Sequence, residues 1–169
     1  MNAGIIDPYE ARRLIDSGEY TTTSYAKEVG VSKQAVHQAL KKIGYRHPLT
    51  IARDYIPWSD MPPGAKSATP YQRLVQHLEF TAAGEKYMSE GVLKRLRNWY
   101  ENTLEKFSVV VEYDPEQYPV PGQQFGHWRY VPREPRDGDL ILRQNEHTKL
   151  TPAQKVLFRM PERFPNTPS

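Results

Sequence analysis

The sequence predicts an α+β protein: an amino-terminal all-α domain over residues 1–46, a linker over 47–69, and a small α+β domain over 70–169 with an αα-hairpin and a short β-sheet. Three observations lead there. Apolar residues recur at helical spacing from Asp7 to Gly44 and again from Pro70 to Leu104, whereas β-branched and aromatic runs begin only at Val109. Pro is unevenly spread: only Pro8 lies before Pro48, although Pro makes up about 9% of the chain against a usual share of about 5%. Finally, 169 residues of which 38% are hydrophobic suit two small cores better than one large one.

The first helix opens at Asp7, with Pro8 at its first position and Glu10 at its third, a capping-box arrangement closed by Gly18. Ala11, Leu14 and Ile15 form its apolar stripe. A second helix follows the cluster Thr21-Thr22-Thr23 and stops at Gly30; a third starts at the cap Ser32 and runs to Gly44. From Arg46 to Thr69 the periodicity fails, and Pro57, Pro62, Pro63 and Gly64 break any long element. Ile51, Tyr55, Ile56 and Trp58 are too apolar to be left all in water, so part of this linker packs as a short helix or clasp. Thr69 is expected to cap the next helix, which carries Tyr71, Leu74, Val75 and Leu78 inward and ends near Gly84. Ser89 caps its partner, with Leu93, Leu96, Tyr100 and Leu104 on one face. Three strands are expected at Val109–Tyr113, Trp128–Val131 and Leu140–Leu142, the second after a Pro/Gly loop. A short helix follows at Thr151-Pro152, then a frayed Pro-rich tail from Pro161.

Composition narrows the function. Without Cys there are no disulfides, thiolate zinc sites or Cys nucleophile, and a reducing cytoplasm fits. Apolar runs are far shorter than the roughly 20 residues a bilayer requires, so no membrane partner is expected. His37, His47, His77, His127 and His147 show no i,i+4 pair, which argues against a metal site. No cofactor is expected.

The most informative segment is Thr22 to Leu40, which resembles a helix-turn-helix. Two helices cross steeply only where a small residue sits at their contact, here Ala26, and the tight turn between them needs a positive φ, supplied by Gly30. Val31, Val36 and Leu40 seal the junction. On the third helix Val36, Leu40 and Ile43 share one face, which turns Lys33, Gln34, His37, Gln38 and Lys41 outward. From Ser32 to Arg46 the chain holds Lys33, Lys41, Lys42 and Arg46 and no acid, so the basic charge is concentrated there although the whole chain is only +3. Gln34 and Gln38 suit adenine, Lys33 suits guanine, and Ala35 suits a thymine methyl. Thr22, Thr23 and Tyr25 are expected to hold phosphates. A merely solvated polar face is the plainer alternative; the matching apolar register and the absence of acid argue against it.

A second set of polar residues lies outside the apolar stripes of the hairpin: Gln72, Arg73, Gln76 and His77 on its first helix, and Lys94, Arg95, Arg97 and Asn98 on its second. They are expected to supply further DNA contacts, although Glu90, Glu101 and Glu105 nearby suit an ordinary solvated surface equally well. No heptad seam for dimerisation is visible. Tyr55-Ile56-Pro57-Trp58, Leu93 to Glu101, Val109 to Pro115, Trp128 to Arg133 and Asp137 to Arg143, together with the helix-turn-helix, resemble the immunity repressors of temperate actinobacteriophages, including mycobacteriophages. The resemblance implies a repressor that maintains lysogeny in the cytoplasm of a bacterial host. Such a protein occupies an operator and related asymmetric stoperator sites, obstructs RNA polymerase, and uses its carboxy-terminal domain as well. A monomer suits sites without dyad symmetry.

Other signals are weaker. Ala83-Gly84 is the dipeptide at which self-cleaving repressors are cut, yet no Ser and Lys pair is placeable, and Gly84 reads as a helix cap. Glu112 and Asp114 alternate on a strand as Mg²⁺ ligands do, but a strand-end turn is the simpler reading. Trp58, Trp99 and Trp128 could stack on unpaired bases; their apolar neighbours favour packing. The expected function is non-enzymatic, with a DNA-processing enzyme and an effector-responsive regulator as rivals.

Overall fold

The computed structural model describes residues 4–117 and 126–165. It is mixed helical with a small antiparallel sheet, as the α+β expectation requires, and divides into one unit over Met1–Ile51 and another over Ala52–Ser169.

The first unit contains α1 (Pro8–Asp16), α2 (Thr22–Glu28) and α3 (Lys33–Lys42), followed by a short α4 (Pro48–Ala52) at the boundary. Each of the first three starts on a side-chain cap: Asp7 accepts from the backbone N–H of Tyr9 and Glu10, Thr21 from Ser24, and Ser32 from Ala35. The partner of Thr21 in a reciprocal capping box is Ser24. The glycines that end them, Gly18, Gly30 and Gly44, all have positive φ, where a Cβ would strain the backbone. Ala11, Ile15, Tyr25, Ala26, Val36 and Leu40 form the core, with Ile6, Leu14, Tyr20, Val29, Val31 and Tyr45 packed around it.

The second unit is built on α5 (Thr69–Leu78) and α6 (Glu90–Trp99), which pack on each other and on β1 (Val109–Tyr113) and β2 (Trp128–Pro132). The strands pair antiparallel with Val111 opposite Tyr130 and Glu112 opposite Arg129. Both helices continue into one turn of π-helix, Glu79–Ala83 and Tyr100–Glu105, before α7 (Pro152–Leu157) completes the unit. Leu74, Leu78, Leu96, Tyr100, Val111, Trp128, Ile141, Leu142 and Phe158 fill the core.

Four features differ from expectation. Residues 140–142 form single bridges, Val111 to Leu142 on one side and Leu140 to Arg159 on the other, and no named strand. The run is apolar because Leu140 through Arg143 are all buried between neighbours, a pattern that imitates a central strand. Thr69 is the first helical residue and Ala68 the cap position, without a side-chain bond. Within 47–69, the part from Ala52 belongs to the second unit: Trp58 Nε1 donates to Thr148 Oγ1 at 3.0 Å, the Trp58 ring meets Tyr71, Tyr113 and Trp128, and Trp128 Nε1 donates to the Ala65 carbonyl at 2.9 Å. The start of the tail is packed, with Phe164 5.2 Å from the Tyr100 ring and Pro165 buried. Residues 166–169 and the core of the Pro/Gly loop, 118–125, lie outside the described residues.

Candidate nucleic-acid interface

The turn between α2 and α3 fixes how α3 is presented. Val31 N–H donates to the Ala26 carbonyl at 2.9 Å and Gly30 N–H to Lys27 at 3.3 Å, the paired bonds of a Schellman close, with Gly30 at φ +71°. Three residues after Gly30 α3 begins under the Ser32 cap. Val36 and Leu40 are buried and Ala35 and Ala39 half-buried, so the opposite side of the helix must face solvent.

On that side Ser32, Lys33, Gln34, His37, Gln38, Lys41 and Lys42 are exposed, and Arg46 is exposed beyond the helix. Among the described residues, the side chains of Lys33, Gln34, His37, Gln38, Lys41 and Lys42 make no hydrogen bond or ion pair. The surface is thus a ridge of cations and amides with unused hydrogen-bonding capacity. Ala35 presents only part of its methyl. Thr23 is exposed and Thr22 half-buried at the start of α2.

Tyr25, expected to reach phosphate, is instead a core residue: it is 4% exposed and its ring meets Tyr20 edge-on at 6.1 Å. Burial raises its phenol pKa, with the charges of Glu10 and Asp7 adding to the effect. Its place one residue before Ala26 and four before Val29, all turned inward, was the available signal.

The second set divides sharply. His77, expected on the wet side, is 0% exposed. Its Nε2 lies 2.7 Å from the Leu157 carbonyl and its Nδ1 2.6 Å from the Tyr100 hydroxyl. A carbonyl only accepts, so Nε2 carries the proton and Nδ1 accepts from Tyr100: the ring is neutral and tautomer-locked. Burial pulls its pKa down to about 4, against a small opposing effect from the Leu157 bond. Spacing carried the clue, since His77 falls three residues after Leu74, in the apolar stripe.

Arg97 is half-buried and engaged, donating to Glu101 at 2.9 Å and to the Pro165 carbonyl at 3.2 Å. Gln72, Lys94 and Arg95 are exposed, Arg73 and Gln76 half-buried, with Arg73 donating to Gln76 at 3.0 Å. Burial first, and the charge of Arg95 second, lower the Arg73 pKa. Tyr130, which sequence reasoning did not single out, lies beside Arg73 on β2, and its hydroxyl accepts from Trp99 Nε1 at 2.9 Å. Its sequence position on an expected strand carried no cue, since Arg129 and Tyr130 are exposed in succession. Among the described residues no group of three or more His, Asp or Glu is placed to hold a metal ion, and no helix is long and apolar enough to cross a membrane.

No protein-family model matches the chain. Over 147 residues, 85% of this chain and 78% of the relative, it is 38% identical to the repressor-like immunity protein of Mycobacterium phage L5. Identity at that level over most of both chains shows common family membership: the chain belongs to the mycobacteriophage repressor-like immunity proteins.

Proposed function

We propose that this chain is a sequence-specific double-stranded DNA-binding repressor that maintains phage lysogeny, with α2 and α3 acting as a helix-turn-helix and α3 entering the major groove. The observation that carries this reading is the ridge from Ser32 to Arg46, which holds four cations and no acid, with Lys33, Lys41 and Lys42 unpaired among the described residues. Like charges along such a ridge repel one another. A polyanion neutralises it.

Lys33, Gln34 and Gln38 face outward from the first two turns of α3 and read base edges; His37 and the Ala35 methyl complete that face. Lys41, Lys42, Arg46, Thr22 and Thr23 hold phosphates and set register. Arg73 and Arg95, with Gln72, Gln76 and Lys94, add a second cationic contact from the same chain, which removes the need for a symmetric dimer. The protein acts by occupancy as a monomer on asymmetric operator and stoperator sites, without catalysis, cofactor or metal, and obstructs RNA polymerase.

Selection of binding sites from a random duplex pool, followed by footprinting, tests this. A single enriched sequence without dyad symmetry is expected. Gln34→Ala should lose about 1–3 kcal/mol of discrimination at one or two base pairs, whereas Lys42→Ala should weaken all sequences alike and lower the salt slope by about one. Equal losses on selected and random DNA for Gln34→Ala would refute the division of roles.

A further inference from the structure

We infer that the amino-terminal arm is a clasp on the α2–α3 turn, with Gly4 as the positioning residue through which it holds α3 at its reading angle; this inference rests on the proposed DNA-binding role.

The arm is anchored just beyond Gly4. Ile6, two residues after Gly4, packs against the first unit's core, as Val29 and Val31 also do, and Asp7 then caps α1. Ile5, between them, is 94% exposed and contributes nothing to that packing. Gly4 itself lies against the α2 terminus so closely that a Cβ built on it would sit 2.0 Å from the Val29 carbonyl oxygen and 3.1 Å from its carbonyl carbon. Both are backbone atoms, so no side-chain rotation relieves the overlap. Only a hydrogen fits there. The requirement is steric and not conformational, since Gly4 is not among the glycines with positive φ.

Val29 is the residue at which α2 ends, and Gly30, Val31 and Ser32 alone separate it from the first residue of α3. Of the bonds that fold this turn, the one from Gly30 N–H to Lys27 starts from the Val29–Gly30 peptide unit against which Gly4 lies, and the one from Val31 N–H to Ala26 starts from the next unit. A displacement of the Val29 carbonyl therefore passes directly to the Ser32 cap and to Lys33 and Gln34. Base-edge hydrogen bonds tolerate little misplacement, whereas attraction to phosphate charge tolerates much. The arm thus governs discrimination between sequences more than general affinity.

The experiment uses the full chain in three forms: Gly4→Ala, a deletion of residues 1–5, and Ile5→Ala as the exposed control. Amide hydrogen exchange is read at Gly30 and Val31 with Leu40 as an internal reference, and affinity is measured on a selected site and on random duplex. For both Gly4→Ala and the deletion, the clasp predicts exchange at Val31 at least tenfold faster relative to Leu40. It also predicts a five- to twentyfold fall in the ratio of selected-site to random affinity, with Ile5→Ala unchanged. Normal exchange in the deletion overturns the clasp, including the case in which Gly4→Ala alone is impaired, since the defect then comes from a clash only. Faster exchange with an unchanged affinity ratio overturns the positioning role. Should none of the forms, wild type included, prefer any duplex, the repressor reading fails while the exchange comparison still decides whether the arm clasps the turn.

Discussion

Lowering the pH from 7 to 5 removes stability from the second unit through one side chain, His77. The imidazole is neutral in the fold, donating to Leu157 and accepting from Tyr100, with the Phe158 ring stacked 6.1 Å away. In the unfolded chain it takes up a proton below about pH 6.5, in the fold only near 4. Between those values the unfolded state binds more protons, so stability falls as pH falls. Linkage gives a loss of about 2 kcal/mol between pH 7 and pH 5, and about 3 kcal/mol by pH 4. Urea unfolding followed by tryptophan fluorescence reads the second unit alone, because Trp58, Trp99 and Trp128 all lie there. His77→Gln keeps a donor and an acceptor but does not titrate. It should be less stable at pH 7, where the Phe158 stack is lost, yet lack the slope that the wild type shows down to pH 5. Parallel curves for the two proteins over that range would refute the reasoning.

Two further perturbations follow from the second unit. Asp137 and Arg143 form a buried bidentate pair, with Arg143 Nε and Nη2 donating at 3.0 and 2.7 Å. Burial raises the Asp137 pKa, but the Arg143 hydrogen bond, the Glu134 N–H and the charges of Arg143 and Arg136 together outweigh it and hold the carboxyl below its usual range. Asp137→Asn should therefore destabilise by about 3–5 kcal/mol, as removal of one partner of a buried pair does, measured by the same urea titration at pH 7. The contribution of Asp137 is present above about pH 4 and is lost only below it, which separates it from the His77 window. On DNA, Arg95→Ala should weaken binding and reduce the salt slope by about one, whereas Arg97→Ala should leave the slope unchanged because Arg97 already serves Glu101 and Pro165; anisotropy titrations at several salt concentrations check both.

Helix punctuation was legible where its cause is local. Asp7, Thr21, Ser32, Ser89 and Thr151 each cap through bonds to residues two or three positions away, and Gly18, Gly30 and Gly44 each meet a positive φ imposed by their own turn. The outward register of α3 was legible for the same reason, since Val36 and Leu40 define the buried face by spacing alone. What escaped depends on distant partners. His77 looks like a polar surface residue until Leu157, eighty positions later, supplies an acceptor for its N–H. Trp58 was expected to pack, but its partners, Thr148 and the rings of Tyr113 and Trp128, lie far along the chain and could not be named from it. The π-helical turns at Glu79–Ala83 and Tyr100–Glu105 have no compositional mark.

Stability and recognition pull α3 in different directions. An acid in the first turn of a helix interacts favourably with its dipole by about 0.3–1 kcal/mol, and α1 and α6 carry one, Glu10 and Glu90. α3 carries none, and presents Lys33 and Gln34 in that turn instead. The partial positive charge of its amino terminus is therefore not offset by an acid of its own first turn, as is also the case in α2, α5 and α7. At the other end Lys41 and Lys42 do complement the dipole, so the cations there serve the fold and the ridge together. The absence of a favourable charge is therefore confined to the first turn, and an added acid there, though favourable to the isolated helix, would oppose the proposed approach of a phosphate backbone.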